Sequence, residues 1–254
     1  YVESIYWDEN NINHDSFLAA INGFFGADLL AKPSAQYQIE LQFINGLANK
    51  NYNITPSQKV NLKNENFEEL TFQKSHKISL NIDTDSLQVN YFEDFGFVSI
   101  RNEDFYLSIS FGANKNSHHS WGHHHNDKAS VELQVKGENI LLDAGTYIYT
   151  PLPEKRNQFR STFSHNTILV DNLEQNSFNP TRRGLFTLSN GCETELIKLN
   201  SKEIIIKVET TNYLHYRAIK ISSSEIVITD FCNKPFEQNF KTNPFSNGYG
   251  KLLN

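Results

Sequence analysis

Gly122-His123-His124-His125-Asn126-Asp127 leads directly into Ser130–Lys136, a Gly137-Glu138-Asn139 turn and Ile140–Asp143. The second half of this stretch reads as two short strands joined by a tight turn, which is how an antiparallel hairpin is written. Five of the chain's nine histidines lie between positions 118 and 125, a density that core packing does not require. Outward from the hairpin the same rhythm continues. Strands are expected at Leu87–Phe92, Phe97–Arg101 and Phe105–Phe111 before it. After it they are expected at Thr167–Asp171, Leu185–Ser189, Glu193–Lys198, Ile204–Val208, His215–Ile221 and Glu225–Asp230. Turn formers such as Ser222-Ser223-Ser224 punctuate the run. Many short strands at near-regular spacing predict a mainly β fold, an antiparallel β-sandwich over residues 71–254.

The chain before residue 71 has a different character. Phe17, Leu18, Ile21, Phe24 and Phe25 repeat as one buried helical face. Asp15 or Ser16 can cap that helix and Gly26 can end it. Residues 37–48 fit a strand or a helix equally, and 49–70 are polar enough to be a linker. Residues 1–70 therefore read as a short N-terminal helical segment and linker. The chain begins at Tyr1 and contains no Met, so it looks like a piece of a longer product or a sequence with residues missing.

Composition excludes several classes. A chain of 254 residues with 38% hydrophobic and 13% aromatic content can bury a substantial core, and its aromatics suit pleated surfaces. A net charge of −6 does not draw in nucleic acid. Four of the six arginines, Arg156, Arg160, Arg182 and Arg183, fall within 28 residues and can form a local basic patch. Cys192 and Cys232 form no CxxC, which leaves a disulfide framework or thiolate zinc site unsupported. No apolar run approaches the roughly 20 residues of a membrane span.

On an extended backbone His123 and His125 share a face and His124 takes the other. Such an H-x-H pair can offer two imidazoles to one zinc ion, with Asp or His completing the set. Asp143 and His165 lie at strand ends that short hairpins can bring close. A metal-dependent cupin also uses H-x-H, but it wants Glu four or five residues later, where this chain has Ala129 and Ser130. Alone, H-x-H also fits an exposed polar loop. Tyr147, Tyr149 and His215 sit in strand patterns and read as packing residues.

Taken together the motifs are more specific. Gly122-His123-x-His125-Asn126-Asp127, Leu142-Asp143-x-Gly145-Thr146-Tyr147-x-Tyr149, Arg160-Ser161-Thr162-x-x-His165-Asn166-Thr167-x-x-Val170-Asp171 and then Gln175 resemble the β-domain of the heparinase II/III family of polysaccharide lyases. Departures are His124, where Gly is frequent, and Ala144, where Pro is frequent. The resemblance implies a lyase that cleaves a uronate-containing acidic polysaccharide by β-elimination. It implies that His123 takes part in the elimination, and that His125, Asp143 and His165 hold a structural zinc. It places Arg156 and Arg160 near the cleft, where they can bind a carboxylate or sulfate. Asn126 and Asp127 become candidates to orient the zinc-bound imidazoles. The family's remaining catalytic groups come from an N-terminal α/α toroid, for which this chain has no room, so the chain alone is expected to be weakly active or inactive. The substrate class implies a bacterial periplasmic or secreted protein. The rival expectation is a non-catalytic carbohydrate-binding or assembly module that keeps the metal site, and His123 separates the two.

Overall fold

The computed structural model describes residues 70–112, 123–179, 182–189 and 191–240, together with Ser246 and Leu252. The helix expected over 12–30, the linker after it, Gly122 and the first two histidines of the cluster lie outside the described residues.

Two five-stranded antiparallel sheets face each other. One is a simple meander of β2 (Gln88–Phe92), β3 (Phe97–Arg101), β4 (Phe105–Ser110), β5 (Ser130–Val135) and β6 (Glu138–Leu141). The other contains β8 (Cys192–Asn200), β9 (Glu203–Thr210), β10 (Leu214–Ile221) and β11 (Glu225–Cys232), with β1 (Phe72–Ser79) added beside β11. The inner faces alternate in the way a two-residue period requires. Val98, Ile100, Leu107, Ile109, Val131 and Leu133 from the first sheet meet Ile204, Ile206, Val208, Ile219, Ile226 and Ile228 from the second in one core. The antiparallel β-sandwich read from the sequence is therefore what the chain forms.

Ile205 points out of the second sheet. It joins Ile197, Tyr216, Ala218 and Phe231 in a separate cluster on the outer face, which explains why β9 and β10 are buried on both sides. Cys192 and Cys232 are buried free thiols. At the β2–β3 corner Gly96 has φ +58, and a Cβ there would sit 2.1 Å from the Gly112 carbonyl oxygen. The Phe111 and Gly112 amides both donate to the Gly96 carbonyl, so the close approach locks the corner against the end of β4.

Three expected strands change. Thr167–Asp171 contracts to β7 (Ile168–Leu169), which pairs with β12 (Glu237–Gln238), and the chain leaves the ladder at Asp171 with φ 50. Ile140–Asp143 shifts back to Glu138–Leu141, which frees Asp143 to turn toward His165. Leu185–Ser189 is not a strand. A 3₁₀ turn occupies Arg182–Phe186, because Gly184 packs so closely on Asn179 that a Cβ would lie 2.3 Å from the Asn179 Cβ. A short helix, α1 (Pro153–Phe159), was not anticipated. Its cues are present in the sequence: Pro at the first helical position and Glu154 in the first turn.

Candidate active site

The histidine segment does not run as a strand. His123 has φ 67, its amide donates to the Phe186 carbonyl over 2.8 Å, and its side chain is exposed. Left-handed backbone is costly for a residue of this kind and persists only where the surroundings enforce it. Here the amide hydrogen bond to the Phe186 carbonyl holds it, and the Phe186 and Tyr149 ring centroids lie 5.0 and 5.8 Å from the imidazole. Tyr149 stacks nearly parallel to Phe186 and remains 40% exposed. Tyr147 instead stacks on Phe159 of α1 at 4.8 Å.

Beneath this aromatic group lies Arg156, carried by α1 and 1% exposed. Its guanidinium carbon is 5.1 Å from both the Tyr149 and Phe186 rings. Nη1 stands 3.5 Å from His125 Nε2, while Nε and Nη2 are buried without a protein partner. Burial lowers its pKa from the ordinary arginine value, as expected for a cation with no carboxylate against it. Arg160 differs. It is fully buried, and its donors go to Asn157 Oδ1, the Thr187 carbonyl and the Gly184 carbonyl at 2.9, 3.0 and 3.1 Å. Burial and the nearby Arg156 charge bring its pKa down to about 10. Arg160 thus ties α1 to the 182–187 loop that carries Phe186.

His125, Asp143 and His165 come together. His165 Nδ1 is 2.5 Å from Asp143 Oδ2, and the His125 and His165 rings lie 5.2 Å apart. Burial, with the His165 and Arg156 charges, lowers the His125 pKa to about 4, so it is neutral at physiological pH, the form that ligates metal. Burial alone would lower His165, but the Asp143 carboxylate outweighs it and raises that pKa. Glu132, on the outer face of β5, is raised by burial and by the Asp143 and Asp127 carboxylates. Asp127 is held low by Lys128 and the two imidazoles against the opposing effect of burial.

Among the described residues no three His, Cys, Asp or Glu side chains form a ready-made metal cage. The chemistry of the donor set nevertheless suits zinc. One imidazole is neutral, a carboxylate is already against the other, and His165 Nε2 is a buried nitrogen with no protein partner.

The loops that hold these groups are fastened by side-chain amides acting as backbone. Gln175 accepts from the Lys128 amide at 2.8 Å and donates to the Lys128 carbonyl at 2.9 Å. Asn126 does the same with the amide and carbonyl of Asn176, so it faces the 174–176 loop rather than an imidazole. Asn166 donates to the Val131 and Leu142 carbonyls, and Thr167 Oγ1 to the Lys128 carbonyl. Asn239 Nδ2 donates to the His165 carbonyl at 2.7 Å. Glu174 collects Ser161 Oγ, the Thr162 amide and hydroxyl, and Asn126 Nδ2. Replacing Glu174 with Ala leaves those donors unsatisfied in a part-buried setting. It is expected to cost about 1–3 kcal/mol, read as a lower denaturant midpoint at unchanged slope. Glu174, Asn239 and Phe186 have no local sequence signature, and only the fold brings them to the site.

A family model described as Heparinase II/III-like, C-terminal, matches residues 84–242. No curated protein sequence matches the chain. Among solved structures, the Heparinase III-BT4657 gene product is 22% identical, covering 56% of this chain and 21% of that one at a TM-score of 0.41. A mutant of the heparan sulfate lyase HepC from Pedobacter heparinus is 16% identical, covering 86% and 28% at a TM-score of 0.42. The chain thus corresponds to between about a fifth and somewhat over a quarter of those solved chains.

Proposed function

The chain belongs to the heparinase II/III-like family, through its C-terminal type of domain, and on that basis we propose that it is the β-sandwich part of a lyase that cleaves uronate-containing acidic polysaccharide by β-elimination. The observation that carries this reading is His123, a solvent-facing imidazole on left-handed backbone held by its amide hydrogen bond to the Phe186 carbonyl, with the Phe186 and Tyr149 rings beside it. A binding module has no need of that imidazole.

β-Elimination removes the C5 proton of a uronate while the glycosidic oxygen at C4 departs. The uronate carboxylate must be neutralised, a base must take the proton and an acid must protonate the leaving oxygen. His123 is exposed, so a sugar at the surface can reach it, and an imidazole serves at either proton step near neutral pH. Arg156 supplies the cation for a carboxylate or sulfate, by bidentate donation from its unpartnered nitrogens. The Tyr149 and Phe186 ring centroids lie 5.1 Å from its guanidinium carbon. Arg160 braces the loop from below. The rest of the acid–base machinery is assigned to an N-terminal α/α toroid of the same gene product, and the substrate class alone argues for a bacterial periplasmic or secreted protein.

His125, Asp143 and His165 would hold a structural zinc. When bound, it supplies a rigid anchor between the histidine loop, the end of β6 and the 162–167 segment. Chelation is expected to lower the Tm of the zinc-loaded chain, and His125→Ala to abolish that difference. The test of the function itself is a panel of acidic and neutral polysaccharides incubated with the longest native reading frame that contains this chain. Growth of ultraviolet absorbance from a C4–C5 double bond on acidic members only is the expected result.

A further inference from the structure

A cavity away from His123 opens beside β7 and β12. It measures about 530 Å³, within the roughly 300–1,000 Å³ range of small-molecule sites. Phe163, 57% exposed, stands at it, and Phe236, 5% exposed, is also in its wall. Asp171, Asn172, Glu237 and Lys74 supply its polar lining. We propose that this cavity is a saccharide-binding site for an uncharged pyranose unit.

Three observations carry the assignment. The first is the combination of chemistry. A pyranose has an apolar C–H face and a rim of hydroxyls, so it is recognised by an exposed aromatic ring flanked by carboxylates and amides. Carboxylates accept from hydroxyls, Asn does both, and an ammonium donates. The second is charge. Two carboxylates against one lysine leave the lining net negative, which disfavours a uronate or sulfated unit and favours a neutral one. The Lys74 ammonium itself lies 5.7 Å from the centroid of the Phe236 ring.

The third is rigidity. Asp171 closes the Val170-Asp171 motif, for which the elimination chemistry has no use. It sits at φ 50 in a turn closed by the Leu173 amide donating to the Val170 carbonyl at 3.0 Å. Glu237 is fixed opposite Leu169 in the β7–β12 ladder. The polar groups are therefore carried by ordered backbone, which limits the ordering cost of binding. Phe163 belongs to the Thr162–Ser164 turn, immediately before His165, so a sugar bound here rests on the same turn that presents that histidine.

The test is an NMR titration of the full chain with neutral tetrasaccharides of glucose, mannose and N-acetylglucosamine, beside an oligogalacturonate. The expected result is that at least one neutral tetramer binds. Its shifts should centre on the amides of Leu169, Asn172 and Glu237, and Phe163→Ala and Asp171→Asn should each weaken binding tenfold or more. Phe163 is exposed, and Asn tolerates left-handed backbone as Asp does, so both variants should keep the parent Tm. His123→Ala should bind normally, which keeps failure here distinguishable from failure of the lyase reading. Absence of binding by every neutral tetramer at millimolar concentration, binding that survives both substitutions, or preferential binding of the oligogalacturonate at these residues would each overturn the proposal.

Discussion

Arg217→Met is expected to lower stability by about 3–5 kcal/mol, because it leaves a buried carboxylate without its cation. Arg217 and Asp230 are both fully buried. Arg217 Nε and Nη2 donate to Asp230 Oδ1 and Oδ2 at 2.8 and 3.0 Å. His215 Nε2 and Gln238 Nε2 complete the carboxylate at 2.7 and 2.8 Å. The remaining nitrogen, Nη1, reaches across to the Ala129 and Asn166 carbonyls, each at 2.6 Å. One side chain from β10 thus pins the segment entering β5 and the residue after His165. Against a typical total of about 5–15 kcal/mol, the loss is large enough to unfold a substantial fraction of the chain on mild heating. Equilibrium urea unfolding measures it. Arg217→Met combined with Asp230→Leu is expected to lose less than the sum of the two single changes, since neither partner of this pair is then left as an unpaired buried charge.

The same cluster sets an acid limit. Burial tends to raise the Asp230 carboxyl, but Arg217 and His215 hold it far below the usual range. Burial lowers His215 from its ordinary value despite Asp230. Both groups bind fewer protons folded than unfolded, so stability falls as pH falls. The decline begins near the unfolded His value of about 6.5 and steepens near the unfolded Asp value of about 3.9. Urea midpoints that stay level from pH 7 to 4 would contradict this assignment.

Much of this architecture is legible in the chain because strand and turn alternate locally. Phe97–Arg101 coincides with β3, and His215–Ile221 and Glu225–Asp230 with β10 and β11 to within two residues. What is not legible is fixed at long range. β1 is mostly exposed and so carries weak apolar alternation, although it is paired with β11 over its whole length. Leu185–Ser189 has strand-like composition, but contacts of Gly184 with Asn179 and Arg160 decide its shape. The motif residues were visible as a set, and the structure brings His125, Asp143 and His165 together. That Arg156 lies under Tyr149 and Phe186 while Arg160 is spent on carbonyls follows from the path of α1, a helix announced only by Pro153 and Glu154.

The second large effect concerns chemistry rather than stability. His123→Ala removes an exposed side chain whose backbone is held through its own amide to Phe186. The variant should therefore keep the fold at a cost of about 1–2 kcal/mol, because Ala tolerates left-handed backbone poorly. A proton-transferring imidazole contributes about 10²–10⁴ in rate, so turnover should fall by that factor. The decisive measurement follows C4–C5 double-bond absorbance on the responding acidic polysaccharide, with the native reading frame and its His123→Ala variant side by side at matched folded fraction and in the same zinc-supplemented buffer. Absorbance that grows with the native protein and is lost by two or more orders of magnitude in the variant is the predicted result. Equal rates from the two proteins, or no absorbance from folded native protein in zinc-supplemented buffer on any acidic member, would contradict the lyase assignment of His123.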